Sequence, residues 1–134
     1  MNGRGLDKAR IAEFEEKIGY TFQDKALLVH ALSHTSYTNE HGMEKQASNE
    51  RLEFLGDAIV DMVVSDYLYR HNSTEPEGTL TKWRASVVCE ASFAHIAAGM
   101  DYGSYLLLGK GEEATGGRSR SSVLADAFEA VIAA

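Results

Sequence analysis

The stretch from Asn49 to Arg70 constrains the fold of this 134-residue chain more than any other part. It reads NERLEFLGDAIVDMVVSDYLYR, follows a candidate N-cap and contains no proline, so the sequence predicts one long helix. At about 100° of rotation per residue, one arc of that helix carries four carboxylates: Glu50, Glu53, Asp57 and Asp61. Most of the remaining surface is apolar, which predicts that this helix lies in the middle of the domain.

The acidic arc requires an explanation, because carboxylates at this spacing repel one another unless a cation lies among them. The arc has no Lys or Arg before Arg70, and Phe54 projects beside it, where a large aromatic side chain would face water. A divalent cation would relieve the repulsion, and a partner surface would cover Phe54. From the residues alone, a merely solvated acidic face stays open as the alternative.

Two motifs in the chain resemble a known family. NERLEFLGDAIV at 49–60 closely resembles the signature of the ribonuclease III family of double-stranded RNA endonucleases. SVLADAFEAVI near the end resembles the second motif of that family, and it predicts a final helix from Ser121 or Ser122 with Asp126 and Glu129 on one face. The resemblance covers residues 11–134 and implies one all-α domain over residues 1–134, a helical bundle with the ribonuclease III endonuclease-domain fold.

The same resemblance implies the chemistry. Members of the family hydrolyse phosphodiester bonds of double-stranded RNA in rRNA and mRNA processing, and they leave 5′-phosphate and 3′-hydroxyl ends. The implied metal ligands are Glu53, Asp57, Asp126 and Glu129. We expect Asp57 and Glu129 to be the catalytic pair, with Mg²⁺ as cofactor and Mn²⁺ able to replace it, because carboxylate and water ligands suit these hard cations and not zinc.

The resemblance gives two further acids a role, either in binding a second ion or in water-mediated contacts. Glu50 precedes the other acids on the long helix, and Glu77 precedes a helix expected to begin near Thr79 or Thr81. From the residues alone, Glu77 would rather be an acid that interacts with the helix dipole. The alternative function is a non-catalytic RNA-binding or ribosome-associated relative with the same fold. A site that binds only a protein partner is a second alternative.

The charge balance bears on the RNA substrate. The net charge is −7, whereas polyanion binding normally accompanies a basic surface. Part of this excess negative charge comes from the carboxylates that are expected to bind metal. The double-stranded RNA-binding domain that is usual in the family is absent from this chain, so we expect weak RNA affinity. Lys110, Arg118 and Arg120 lie in a glycine-rich segment that we expect to be an exposed, mobile loop. The loop either contacts phosphates or is simply solvated.

A homodimer is expected, with Phe54 at its interface. Two-fold symmetry would cover that side chain with its own copy, and two acidic clusters would serve the two antiparallel strands of a duplex. No segment approaches the roughly 18 apolar residues of a membrane span, so we expect a cytoplasmic protein without membrane contact. The last helix reaches Ala134 without a stop signal, which leads us to expect a domain truncated at that end.

The remaining segments have structural interpretations. We expect a helix from Leu6 to Ile18 closed by Gly19, and a second helix capped by Asp24 with Leu27, Leu28 and Ala31 facing inward. Residues 37–47 are expected to form a surface loop, and residues 82–100 two helices joined near Glu90–Ser92. Cys89 is expected to fill the core, and His30 and His34 to be structural rather than catalytic.

Overall fold

The computed structural model describes residues 5–134 and is all-α, as expected. Its helices are α1 (Lys8–Ile18), α2 (Lys25–Ala31), α3 (Thr35–Glu40), α4 (Glu50–His71), α5 (Glu77–Val87), α6 (Glu90–Gly99), α7 (Lys110–Ala114) and α8 (Ser121–Ala133). Short 3-10 turns occupy Lys45–Ala47, Tyr102–Ser104 and Gly117–Ser119. The extended backbone contributes one isolated parallel bridge between Ser33 and Leu107.

Local sequence signals define the first two helices. Asp7 caps α1 by accepting a hydrogen bond from the backbone N–H of Arg10 at 2.9 Å, and Asp24 caps α2 through the N–H of Ala26 at 3.0 Å. Gly19 ends α1 with φ of 73°, a left-handed conformation that glycine adopts without a steric penalty. The end of α1 at Gly19 and the cap of α2 confirm the prediction, whereas α1 begins at Lys8 rather than at Leu6.

The central helix is α8. Its buried side chains are Val123, Leu124, Ala125, Ala127, Glu129, Ala130 and Val131. Helices α4 and α6 pack against it, and the ring of Phe93 on α6 stacks on Phe128 with centroids 5.1 Å apart. Small alanine side chains let both neighbours approach α8 closely, so the final motif of the sequence forms the middle of the core.

The prediction that α4 lies in the middle of the domain is wrong. Only Gly56 and Val60 on this helix are buried, whereas its apolar side chains Leu55, Met62, Val63 and Tyr67 are exposed. Helical periodicity correctly identified an apolar surface, but periodicity carries no information about which element covers it. Within residues 5–134, much of that surface therefore faces outward.

Two predicted loops contain helices. Residues 37–47 include most of α3 and a 3-10 turn, and the glycine-rich segment after Gly109 forms α7 and another turn. The backbone N–H of Gly109 donates to Ser36 Oγ at 2.9 Å, and that of Lys110 donates to Glu40 Oε2 at 2.8 Å. These bonds join α3 to α7, a contact between segments too distant in sequence for local patterns to reveal.

Smaller corrections concern individual residues. Cys89 is only partly buried and precedes α6, so it is not a core residue, because the break between α5 and α6 falls at 88–89. Leu27 is exposed rather than inward-facing, and Ile132 on α8 is exposed as well. Helix α5 begins at Glu77, directly after Pro76, which suits a position where no N–H is required. No helix among residues 5–134 combines the length and hydropathy needed to cross a bilayer.

Candidate metal centre

Gly56 sets the distance between the two helices that carry the acids. A Cβ atom at this position would lie 2.5 Å from the carbonyl carbon of Glu129 and closer still to its oxygen. Ordinary carbon–carbon contacts are about 3.5–4.0 Å, so only glycine allows α4 and α8 to cross this closely. The crossing places the acidic arc of α4 against the acidic face of α8.

Three carboxylates meet at this crossing. Glu53 from α4 and Asp126 and Glu129 from α8 each offer an oxygen, and these oxygens lie within 4.8 Å of one another. We call these three residues the acidic cluster. Asp57 adjoins the cluster, because its carboxyl group shares a hydrogen bond with the carboxyl group of Glu129. The structure thus brings together all four of the carboxylates assigned as metal ligands.

Burial and mutual repulsion disfavour the charged forms of the cluster. The pKa of Glu129 is raised to about 8, and burial is the largest cause. The hydrogen bond with Asp57 and the negative charge of Asp57 are the next largest causes. Burial and then the charge of Asp126 raise the pKa of Glu53. Burial and then the charge of Glu90 raise the pKa of Asp126. The metal-free protein therefore holds at least one proton among these groups at neutral pH.

One atom of the cluster lacks a partner. Glu129 is only 7% exposed, and its Oε2 accepts no hydrogen bond from any of the described residues. A buried, unpaired carboxylate oxygen is costly unless a cation or a donor satisfies it. The ionisable groups around this oxygen are carboxylates, and hard divalent cations prefer carboxylate oxygens as ligands. The residues present therefore fit a metal of this class.

The other acids singled out in the sequence have different surroundings. Glu50 accepts a hydrogen bond from Thr35 Oγ1 at 3.0 Å at the edge of the cluster, and its charge acts on Asp126. Asp61 forms an ion pair with Arg84 of α5 at 3.4 Å and does not belong to the cluster. Glu77 lines a separate cavity of about 510 Å³ with Tyr69 and Leu80, among other residues.

The three basic residues assigned to RNA differ in their bonding. Arg118 is held inside the protein, since Nη1 donates to the carbonyls of Gly103 at 2.9 Å and Leu106 at 2.7 Å. Arg120 bonds to Glu112 and to Thr115, whereas Lys110 is exposed at the start of α7. The mobile loop expected here is therefore an ordered segment in which both arginines fix the local fold.

Sequence reasoning missed two residues whose charges act on Asp126. Glu90 begins α6, and its charge raises the pKa of Asp126 after burial does. His34, expected to be structural, does cap α3, but its charge also reaches Asp126 and lowers the same pKa. Neither residue lies near the acids in sequence, so no local signal could have linked them to the site.

Comparison with known proteins agrees with this geometry. The family described as Ribonuclease-III-like matches residues 24–134. Ribonuclease 3 of Oceanobacillus iheyensis is 53% identical over 124 residues, which cover 92% of this chain and 54% of that protein. The chain belongs to the ribonuclease III family. Ribonuclease 3 of Bacillus cereus is 54% identical over 121 residues, 90% of this chain and 49% of the relative.

The solved structures give the same result. The nuclease domain of ribonuclease III from Campylobacter jejuni superposes with a TM-score of 0.84 at 45% identity, covering 92% of this chain and 82% of that one. The present chain spans about half the length of the two relatives named above. Ribonuclease III enzymes are metal-dependent, and the acidic cluster has the geometry to hold a metal ion.

Proposed function

We propose that this chain is the nuclease domain of a double-stranded RNA endonuclease that uses Mg²⁺ and leaves 5′-phosphate and 3′-hydroxyl ends. The observation that carries the proposal is the buried, unpartnered Oε2 of Glu129 within a group of carboxylates. A solvated acidic face would leave its oxygens in water, whereas this oxygen is already withdrawn from it. The identity to proteins named Ribonuclease 3 supports the substrate class.

The side chains have separable roles in this proposal. Glu53, Asp57, Asp126 and Glu129 would hold the cation, and Asp57 and Glu129 would also orient the attacking water at the cluster. A divalent cation at this position would acidify a bound water and neutralise charge on the phosphate oxygens. Because Glu129 has its pKa raised to about 8, it must give up a proton when it becomes a ligand. Mn²⁺ should replace Mg²⁺, since both accept carboxylate oxygens.

Glu50 and Glu77 are proposed to act on a second ion or through water. The position of Glu50 at the edge of the cluster supports this role for that residue. The separate cavity lined by Glu77 supports at most a water-mediated or second-ion contact that forms with substrate. Comparison of metal stoichiometry in the Glu50→Gln and Glu77→Gln variants would separate the two.

The functional unit is proposed to be a homodimer. Phe54 is 82% exposed, and the exposed Leu55 and Met62 lie within about 100° of it around the same helix, so the three share one apolar face. An apolar surface of this kind on a folded domain commonly marks an interface, and a two-fold axis would cover it with its own copy. One matched Campylobacter jejuni structure is described as having flexibility in a region involved in dimer formation, which supports the same assembly here.

RNA contact is proposed to involve Lys110, Arg118 and Arg120, with Lys110 the strongest of the three. Lys110 is exposed, whereas the guanidinium groups of Arg118 and Arg120 are engaged in intramolecular bonds. The two arginines would therefore contribute mainly positive potential and the shape of the segment. Such contacts reach phosphates and carry no sequence preference.

Cleavage of a long RNA duplex tests the proposal. The wild-type chain should cut the duplex with Mg²⁺ and stop when EDTA is added, and Glu129→Gln should abolish cutting while the fold is retained. Asp61→Asn is the matched control, because Asp61 lies on α4 outside the cluster and should not be required. Cutting by Glu129→Gln at the wild-type rate would refute the assigned site.

The rival function predicts a different result. A non-catalytic RNA-binding relative would bind duplex RNA without cutting it at any concentration of Mg²⁺ or Mn²⁺. A cluster that serves only to bind a protein would show no change in melting temperature with either metal.

We place the proposed enzyme in the cytoplasm, which fractionation of cells that express it would test.

A further inference from the structure

One side-chain hydrogen bond joins the first residue of α3 to the first residue of α4. Thr35 Oγ1 donates to Glu50 Oε1 at 3.0 Å, although 15 positions separate the two residues in sequence. A threonine hydroxyl has one proton to donate, and here the carboxylate receives it. Among the described residues, Thr35 is the one hydrogen-bond donor to the Glu50 side chain. Oε1 is therefore held, whereas Oε2 keeps its lone pairs for another partner.

The backbone that carries Thr35 is restrained on both sides. The N–H of His34 donates to the carbonyl of Leu107 at 3.0 Å, and Nδ1 of the same histidine accepts from the N–H of Ser36 at 3.1 Å. Farther along α3, the hydroxyl of the buried Thr38 donates to the Thr35 carbonyl at 3.0 Å. The Thr35 hydroxyl therefore projects from a restrained main chain.

The start of α4, which carries Glu50, is restrained as well. The N–H of Asn49 donates to the carbonyl of Ser33 at 2.8 Å, and the side-chain amide of Asn49 donates to the carbonyl of Ala31 at 3.0 Å. Asn49 is buried, so both bonds are shielded from water. Because each end of the bond between Thr35 and Glu50 is attached to a restrained segment, the bond restrains the carboxylate itself.

Glu50 lies beside the acidic cluster on the same helix. Glu50 and Glu53 are three residues apart on α4, and side chains at this spacing are neighbours, with Cβ atoms about 5–6 Å apart. Two carboxylates at this spacing repel each other, and Glu50 is exposed, so without a partner its side chain would rotate into the solvent and away from Glu53. The bond from Thr35 opposes that rotation.

We propose that Thr35 is a positioning residue, whose hydroxyl holds the Glu50 carboxylate beside the acidic cluster, where it meets the cation or a water bound to it. This inference rests on the proposed metal-dependent function. Rotamer freedom that the Thr35 bond has already removed is not lost again when the metal binds. Partners of this kind behind a metal ligand typically contribute about 10–100-fold to metal affinity, and an exposed bond belongs at the lower end of that range.

A double-mutant cycle separates this role from a structural one. Thr35→Val removes the hydroxyl and keeps the shape of the side chain, Thr35→Ser keeps the hydroxyl, and Glu50→Ala removes the carboxylate that receives the bond. The combination of Thr35→Val with Glu50→Ala completes the cycle. The readouts are the Mn²⁺ dissociation constant from titration calorimetry of the 134-residue chain and the melting temperature in EDTA.

Loss of the hydroxyl alone should weaken metal binding. Thr35→Val should melt in EDTA close to wild type and bind Mn²⁺ about tenfold more weakly, and Thr35→Ser should restore the wild-type affinity. In the Glu50→Ala background, Thr35→Val should weaken Mn²⁺ binding no further, because the group through which Thr35 acts is already gone. A purely structural role would instead lower the melting temperature and weaken Mn²⁺ binding by the same factor in both backgrounds, and that result would overturn the proposal.

Each remaining result also decides the matter. Wild-type Mn²⁺ affinity in Thr35→Val, or in Glu50→Ala, would reject the role of Thr35, even if RNA cleavage became slower. If Thr35→Val does not fold, Thr35→Ala removes the same hydroxyl without added bulk and takes its place in the cycle. A wild-type chain that binds Mn²⁺ but cuts no RNA would count against the proposed nuclease, while the cycle would still test Thr35. A wild-type chain that binds no Mn²⁺ would reject both.

Discussion

Substitution of Gly56 by alanine should damage both the fold and the metal site. The new Cβ would lie 2.5 Å from the carbonyl carbon of Glu129 and closer to its oxygen, whereas an ordinary contact is about 3.5 Å or more, so α4 and α8 would have to separate by at least 1 Å or so, on the order of one carbon radius. Overpacking of this kind typically costs about 1–3 kcal/mol. Because the obstacle is backbone, which cannot rotate away, we expect a cost of about 3 kcal/mol.

Thermal unfolding in EDTA measures this cost, and it should appear as a fall in melting temperature on the order of 10 °C. Gly99→Ala on α6 is the matched control, because a Cβ there would meet no atom within 4 Å and alanine favours the helix. The same separation would widen the distance from Glu53 to Glu129, so Mn²⁺ should also bind more weakly. A Gly56→Ala protein that melts with the wild type would refute the close crossing of the two helices.

Three further predictions concern charge and assembly. Folding raises the pKa of Glu129 from 4.5 to about 8, so between these pH values the metal-free native state binds more protons than the unfolded state. The free energy of unfolding, measured with urea, should therefore fall as the pH rises from about 5 to 8. Glu129→Gln should flatten that slope. Phe54→Asp should shift the chain from dimer toward monomer in sedimentation at micromolar concentration, whereas an unchanged dimer would place the interface elsewhere. Lys110→Ala should weaken binding to unrelated RNA duplexes by a similar factor and flatten its salt dependence, and a loss restricted to one sequence would contradict phosphate contact.

Local sequence determined the longer helices and most of the site residues, although not α3 and α7. Asp7, Gly19 and Asp24 set helix ends through hydrogen bonds and backbone conformations that depend on adjacent residues. The spacing of Glu53 and Asp57 placed both on one face of α4, because an α-helix has a fixed period. The family resemblance then linked these acids to Asp126 and Glu129 across a long stretch of sequence.

Tertiary structure alone decided what surrounds those residues. The exposure of the apolar face of α4, the intramolecular bonds of Arg118 and the effects of the His34 and Glu90 charges on Asp126 all arise between segments far apart in sequence. A helical pattern specifies which side chains share a face but not which element packs on it. Gly56 illustrates both kinds of information. The sequence shows that a glycine stands at this position, but only the folded structure shows that any larger residue would clash with the carbonyl group of Glu129.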